Sequence, residues 1–251
     1  MSKLSKFLIK KFHFKNWKYQ FTNSSKSYDF LFEKLSLSQK IKKWILVSTY
    51  LENKFKKNKI LLVDYPKNIR KQILSKLKLT EHEVYCLKLY STLSYYDAQI
   101  IKKFAQDDSK IVEISTGFGR MYPFFINYKN YIPFEPTKKV FEISKYFAEI
   151  ILNKNFKFIK NLYDLKNVNE VDIYYSIDCL GEISTEKFIN YINIFKKNLI
   201  NNGIILIRDW WWNKDNLKYL YTIKDLKLSN IEINYSEENN YNKWYILKKN
   251  V

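Results

Sequence analysis

The sequence predicts an α/β fold in which a mostly parallel sheet carries helices on both faces, ends in an antiparallel hairpin and follows a helical N-terminal region. Three observations support this reading. The first 110 residues hold no glycine and place apolar residues at helical spacing, as in Phe30, Leu31 and Leu35 and again in Trp44, Ile45 and Leu46. From Lys110 the period changes, and short β-rich runs alternate with helical stretches. All four glycines fall between residues 117 and 203, inside that alternating part. The expected division is a basic helical region over residues 1–105 and an α/β domain over residues 106–251.

In the first region, Thr80 with Glu83 and Ser94 with Asp97 have the spacing of capping boxes, so each pair is expected to open a helix. Beyond Lys110, residues 111–114 read as a buried strand and 120–128 as a helix, with Pro123 in the first turn where its missing N–H is harmless. Residues 131–134 are the second strand. Residues 137–152 form a helix with Val140, Ile143, Phe147 and Ile150 on one face. Further strands are expected at 156–159 and 172–176. Ser184 caps a helix with Phe188, Ile192, Phe195 and Leu199 on its apolar face, and Asn202-Gly203 turns the chain into a strand at 204–207. The chain ends in a hairpin of 231–235 and 244–247 joined by a polar turn at 236–242. Strands that alternate with helices pair in parallel through right-handed crossovers.

Composition narrows the chemistry. The chain has 251 residues, 46% hydrophobic and 27% charged, which is globular rather than disordered. Two cysteines, Cys86 and Cys179, make no disulfide framework, and with only His13 and His82 beside them no His/Cys zinc site can be assembled. A reducing, cytoplasmic setting is expected. No uncharged apolar run approaches the roughly 18 residues of a membrane span, and residues 7–9 are too short for a signal-peptide core. Lys, Asn, Ile, Tyr and Phe abound while Gly and Pro number four each, as the codons of an AT-rich genome would dictate. Each retained glycine is informative for that reason.

The sharpest motif is Ile111-Val112-Glu113-Ile114-Ser115-Thr116-Gly117-Phe118-Gly119-Arg120, a strand that ends in a glycine turn and opens a helix. Bare backbone at Gly117 and Gly119 lets a ligand approach closely, and a helix start offers N–H groups to its polar part. A P-loop would need Gly-Lys-Ser/Thr, which is missing, and a dinucleotide fingerprint would want a third glycine where Tyr122 stands. Glu113, inside the strand, disfavours a pyrophosphate and suits a cofactor that bears positive charge.

With these residues the sequence resembles the Rossmann-like S-adenosylmethionine-dependent methyltransferases, whose first motif reads apolar, acidic, apolar, Gly-x-Gly-x-Gly. Ser115 stands where the family has its first glycine, so a small residue is retained. The likeness runs for some 140 residues. It implies that Glu135, 18 positions after Gly117, accepts hydrogen bonds from ribose hydroxyls, and that Asn161 and Asp164 follow the third strand where a polar residue meets the adenine. Residues 171–176 match the fourth strand, Leu180-Gly181-Glu182-Ile183 the loop after it, and the final hairpin the antiparallel last strand. Within the family, Gly117-Phe118-Gly119-Arg120 and Glu182-Ile183-Ser184 are most similar to bacterial sugar O-methyltransferases, which also carry a helical region ahead of the cofactor domain. The resemblance implies S-adenosyl-L-methionine as cofactor, with Glu113, Ser115, Gly117, Gly119, Glu135, Asn161 and Asp178 as its binding residues.

A sugar hydroxyl is barely ionised at neutral pH, so its methylation gains from a general base within hydrogen-bond reach. Ligands of open α/β sheets lie beyond the C-terminal strand ends. Glu182, then Asp178, is the expected base, and Arg120, Asp209, Trp210 and Trp211 are the expected substrate contacts. Each has a plainer alternative. Glu182 caps the next helix, Asp178 holds the loop backbone or the methionine part of the cofactor, Asp209 pairs with Arg208, the tryptophans pack a core or lid, and Arg120 is a solvated helix residue or binds the cofactor carboxylate.

Charge is uneven. Residues 1–110 hold 24 basic and 9 acidic residues, net +15, against 20 and 16, net +4, in the remainder. Compositional drift is the simplest reading of that excess. The others are a phosphate-binding face for RNA, with Phe12, Phe14, Trp17 and Tyr19 interleaved among the charges, and peripheral contact with the inner face of a membrane through the basic amphipathic residues 1–12. The favoured partner is a small sugar or glycan substrate rather than nucleic acid. No motif specifies an oligomeric state.

Overall fold

The computed structural model describes residues 35–181, 183–209, 212–232 and 243–249. Four helices come first: α1 (Leu37–Val47), α2 (Tyr50–Lys57), α3 (Lys67–Leu77) and α4 (Glu81–Lys102). The alternating part follows as β1 (Ile111–Ile114), α5 (Tyr122–Phe125), β2 (Tyr131–Phe134), α6 (Lys138–Tyr146), α7 (Leu162–Lys166), β3 (Val171–Ile177), α8 (Thr185–Asn198), β4 (Leu199–Arg208), α9 (Lys214–Thr222), β5 (Leu226–Glu232) and β6 (Lys243–Lys249). The sheet order is β2-β1-β3-β4-β6-β5; β2, β1, β3 and β4 run parallel, and β6 is antiparallel to both β4 and β5. The expected α/β class, with an antiparallel last strand and a helical region ahead of it, is the fold observed.

Thr80 opens α4 as expected. Its hydroxyl accepts from the Glu83 N–H at 3.3 Å while Glu83 accepts from the Thr80 N–H at 2.8 Å. Ser36 and Gln39 make the same reciprocal pair at the start of α1. Ser94 and Asp97 do not open a helix. Both are buried in the interior of α4, where the three-residue spacing of a capping box is also the spacing of one helix face.

Side chains alternate across each strand and so build two cores. On one face, Ile111, Tyr131, Ile173, Tyr175, Ile204, Leu206, Trp244 and Ile246 pack with Ile41 and Ile45 of α1, Ile69, Ile73 and Leu77 of α3, and Leu87, Ile100 and Ile101 of α4. On the other, Val112, Ile114, Ile132, Phe134, Tyr174, Ile205, Ile207, Tyr245 and Leu247 pack with Phe188, Ile192 and Phe195 of α8 and with Leu165 and Leu220. The helical region therefore shares one continuous core with the sheet.

Several expected elements differ in extent. The helix over 120–128 is only α5, because 116–122 is taken up by tight turns. The helix over 137–152 is α6 continued by a π turn, Phe147–Ile151. The strand at 156–159 reduces to a single parallel bridge between Phe134 and Ile159. Its two hydrogen bonds, Ile159 N–H to the Pro133 carbonyl and Glu135 N–H to the Ile159 carbonyl, put Pro133 on the pairing edge, where it has no N–H for the next bond. Asn202-Gly203 lies inside β4 as a bulge, since Val171 and Ile173 of β3 pair with Leu199 and Ile204. The hairpin begins at Leu226 rather than at residue 231, and residues 233–242 lie outside the described residues. No helix among the described residues is long and apolar enough to cross a membrane.

Candidate cofactor site

The glycine loop follows the C-terminal end of β1. Ser115, Gly117 and Gly119 all have positive φ, at 61°, 58° and 93°. Ser115 thus adopts the left-handed conformation that its missing glycine would favour, at a cost of roughly 1–2 kcal/mol for an L side chain. Its N–H donates to the Phe134 carbonyl at 2.8 Å, and its hydroxyl accepts from the Cys179 thiol at 2.9 Å, which joins the loop after β1 to the loop after β3. Below the loop, Thr116 Oγ1 bonds Ser144 Oγ at 2.8 Å, and the Tyr122 hydroxyl bonds the same Ser144.

The two glycines face different neighbours. A Cβ on Gly117 would meet the Trp44 indole of α1 at 3.4 Å, an ordinary contact. A Cβ on Gly119 would lie 2.3 Å from the ring of Tyr122, which is fully buried and braced by Tyr131 and Phe156. Trp44 in turn leans on Phe118, whose ring is held edge-on by Tyr90 of α4 and by Phe147. The helical region therefore forms one wall of the loop.

Glu135 sits at the end of β2, only 3% exposed. Burial pushes its carboxyl up to about 7, against the pull of the Thr137, Gly117 and Thr116 N–H groups; Thr137 N–H donates to Oε1 at 3.0 Å. This is a dry hydrogen-bond acceptor beside bare backbone, suited to a ligand hydroxyl.

Glu113 is placed differently from its expected cofactor contact. It lies within β1, 4% exposed, and accepts from the Tyr131 hydroxyl, which also bonds the Tyr175 hydroxyl at 2.8 Å. Its carboxyl is part of a buried tyrosine cluster on the helical side of the sheet and does not present charge at the strand ends. Burial pushes it up to about 8, from an ordinary 4.5. Between these two values the folded chain keeps a proton that the unfolded chain has released, so stability falls as pH rises through this window and is flat below it. Replacing Glu113 with Gln, which accepts the same hydrogen bond without ionising, is expected to flatten that decline by on the order of a few kcal/mol. Urea unfolding at pH 5, 7 and 9 measures it, and parallel wild-type and variant curves would reject the assignment.

Asn161 caps α7. Its Oδ1 accepts from the Asp164 N–H at 2.8 Å and its amide donates to the Asp164 carboxylate at 2.6 Å, so both expected adenine-side residues are engaged with each other. Asp209 is wholly buried and accepts from the Gly181 N–H at 2.7 Å, a brace between the ends of β3 and β4. This bracing role stands where a substrate contact was expected. Arg120 is not a solvated residue. Its guanidinium donates to Asp97 at 2.9 Å and to Ser94 at 3.0 Å, both in α4, which leaves it engaged with α4 where a substrate contact was expected. Asp178, φ 59°, lies 3.3 Å from Arg208 Nη1 and 4.0 Å from Arg120 Nη2. Glu182, Trp210 and Trp211 lie outside the described residues, as does the basic segment 1–34.

Sequence reading missed Asp97, Arg208 and Trp44. Arg208 lies next to a residue that was singled out, and Asp97 is a charged residue among the apolar Leu93, Ile100 and Ile101 of its helix; that mismatch was the available signal.

No family profile and no curated protein matches the chain. Solved structures do. An rRNA methylase from Streptococcus thermophilus is similar with a TM-score of 0.51 at 13% identity, covering 62% of this chain and 95% of that one. An amino pentose methyltransferase from Micromonospora echinaspora, solved with S-adenosylmethionine bound, is similar with a TM-score of 0.50 at 7% identity, covering 64% and 91%. The likeness is one of fold, and this chain has the Rossmann-like fold of those methyltransferases.

Proposed function

We propose that the chain is an S-adenosylmethionine-dependent methyltransferase that acts on a hydroxyl of a sugar or surface glycan. The observation that supports the cofactor most is the left-handed loop Ser115, Gly117 and Gly119 beside the buried Glu135 carboxyl. Bare backbone and one dry acceptor match a ribose diol and an uncharged adenosyl body. The bound cofactor supplies an electrophilic methyl on a good leaving group. The protein's task is then to position and to take a proton. Glu135 accepts the ribose hydroxyls. Asp178, 29% exposed in the loop after β3, receives the cationic end of the methionine tail. With Asp178 already opposite two guanidinium groups, Glu182 is the better base.

A second reading, RNA methylation, is favoured by the net charge of +15 on residues 1–110. It predicts tight, length-dependent RNA binding that survives roughly 200 mM salt; weak binding that salt abolishes leaves the glycan reading in place. A methyltransferase-like module without activity is the third, and turns on Ser115.

Calorimetry with S-adenosylmethionine and its demethylated product tests the cofactor. Because the ionised form of Glu135 accepts better from a hydroxyl, affinity is expected to rise between pH 6 and pH 8 around its value of about 7. Glu135→Gln is expected to weaken binding roughly tenfold and to remove that pH dependence. No binding at millimolar ligand sinks the proposal. Labelled cofactor offered with sugars, nucleotide sugars, RNA and lipid extracts identifies the acceptor.

A further inference from the structure

Four charged residues from four separate elements meet at the C-terminal ends of the strands. Asp97, in the interior of α4, is completely buried. Its Oδ1 accepts from Arg208 Nε at 2.9 Å, and its Oδ2 accepts from Arg208 Nη2 at 2.9 Å and from Arg120 Nη2 at 2.9 Å. Arg208, the last residue of β4, is itself completely buried, with its guanidinium 5.9 Å from the Trp244 ring. Its Nη1 reaches Asp178 Oδ1 at 3.3 Å, and its backbone carbonyl accepts from the Asp178 N–H at 2.8 Å. Exposure climbs along the chain of contacts: Asp97 and Arg208 at 0%, Arg120 at 12%, Asp178 at 29%.

A bidentate carboxylate–guanidinium fork fixes orientation as well as charge. Buried ion pairs contribute little net stability, because desolvation offsets their attraction, so their clearest consequence is a fixed geometry. Here the fork holds the Arg208 guanidinium from behind, and the most exposed member of the cluster is the carboxylate at its far end. Asp178 also has a left-handed backbone, a conformation that persists where the surroundings over-determine it.

We propose that Asp97 is a positioning residue for ligand binding: through Arg208 and Arg120 it sets the Asp178 carboxylate toward a cationic group in the crevice. The helical region then acts on the cofactor site from behind the sheet ends as well as through Trp44. This rests on the cofactor reading above.

The test is a double-mutant cycle in the full chain. Wild type, Asp97→Asn, Asp178→Asn and the double variant are titrated with S-adenosylmethionine by calorimetry, and the thermal midpoint of each is recorded. Asp97→Asn and Asp178→Asn are each expected to weaken binding roughly tenfold. The double variant is expected to bind no worse than Asp178→Asn alone, because the effect of Asp97 passes through Asp178. Stability follows the burial of Asp97 whether or not Asp178 is present, so a structural role alone would not give that pattern. Should Asp97→Asn show no folding transition, Arg208→Lys replaces it in the cycle; it keeps the charge, breaks the fork, and is expected to lose its effect in the Asp178→Asn background. Losses that multiply, or wild-type affinity in Asp97→Asn, overturn the positioning role while the cofactor reading stands. Absence of binding by wild type overturns both.

Discussion

Removing residues 1–104 is expected to leave no cooperatively folded protein. Ile41, Ile45, Ile69, Ile73, Leu77, Leu87, Ile100 and Ile101 all pack in the core that covers one face of the sheet. At about 1.5–3 kcal/mol for each buried aliphatic side chain, their combined loss is at least comparable with the roughly 5–15 kcal/mol that holds a domain together. The same deletion takes away Asp97 and with it the bidentate partner of Arg208, which adds to the loss. Removing residues 1–25, by contrast, is expected to leave both the thermal transition and cofactor binding in place. Circular dichroism melts of the two truncated chains decide the matter. A sharp transition for residues 105–251 near that of the full chain would show that the helical region is an independent unit.

Gly119→Ala is expected to destabilise the chain far more than Gly117→Ala, although the two glycines are two positions apart in one loop. Both have positive φ, so each alanine bears the strain of about 1–2 kcal/mol that an L side chain meets there. At Gly117 that is nearly the whole effect, since the new methyl would rest at ordinary contact on Trp44. At Gly119 it would lie 2.3 Å from the Tyr122 ring. That ring cannot swing aside, because its hydroxyl is bonded to Ser144 and its faces are packed by Tyr131, Phe156 and Phe158. Overpacking adds about 1–3 kcal/mol, for a total of about 2–5 kcal/mol and a fall in Tm on the order of 10 °C. Thermal unfolding of the two variants side by side measures the difference. Equal losses would mean that Tyr122 yields and that strain alone governs the loop.

Both predictions depend on features of different legibility. The strands β1, β2, β3 and β4, the turn at Gly117 and Gly119, and Glu135 at the end of β2 follow from local patterns. Alternating or continuous apolar runs make strands, and rare glycines in a glycine-poor chain make turns, so these signals lie within a few residues of one another. The strand at 156–159 was not legible, because its loss turns on one missing N–H at Pro133 in a different strand. Ser94 and Asp97 show the same limit more sharply. Their spacing fits a capping box and a helix interior equally well, and only the arrival of Arg120 and Arg208, the latter 111 positions away, makes the interior the stable place for a carboxylate. By itself, the sequence determined the order of elements, the parallel sheet and the loop where a ligand can approach bare backbone. The tertiary structure alone decided which charges meet behind that loop, that Glu113 serves a tyrosine cluster, and that Trp44 walls Gly117, because contacts between distant residues depend on how the two cores pack and not on any local period.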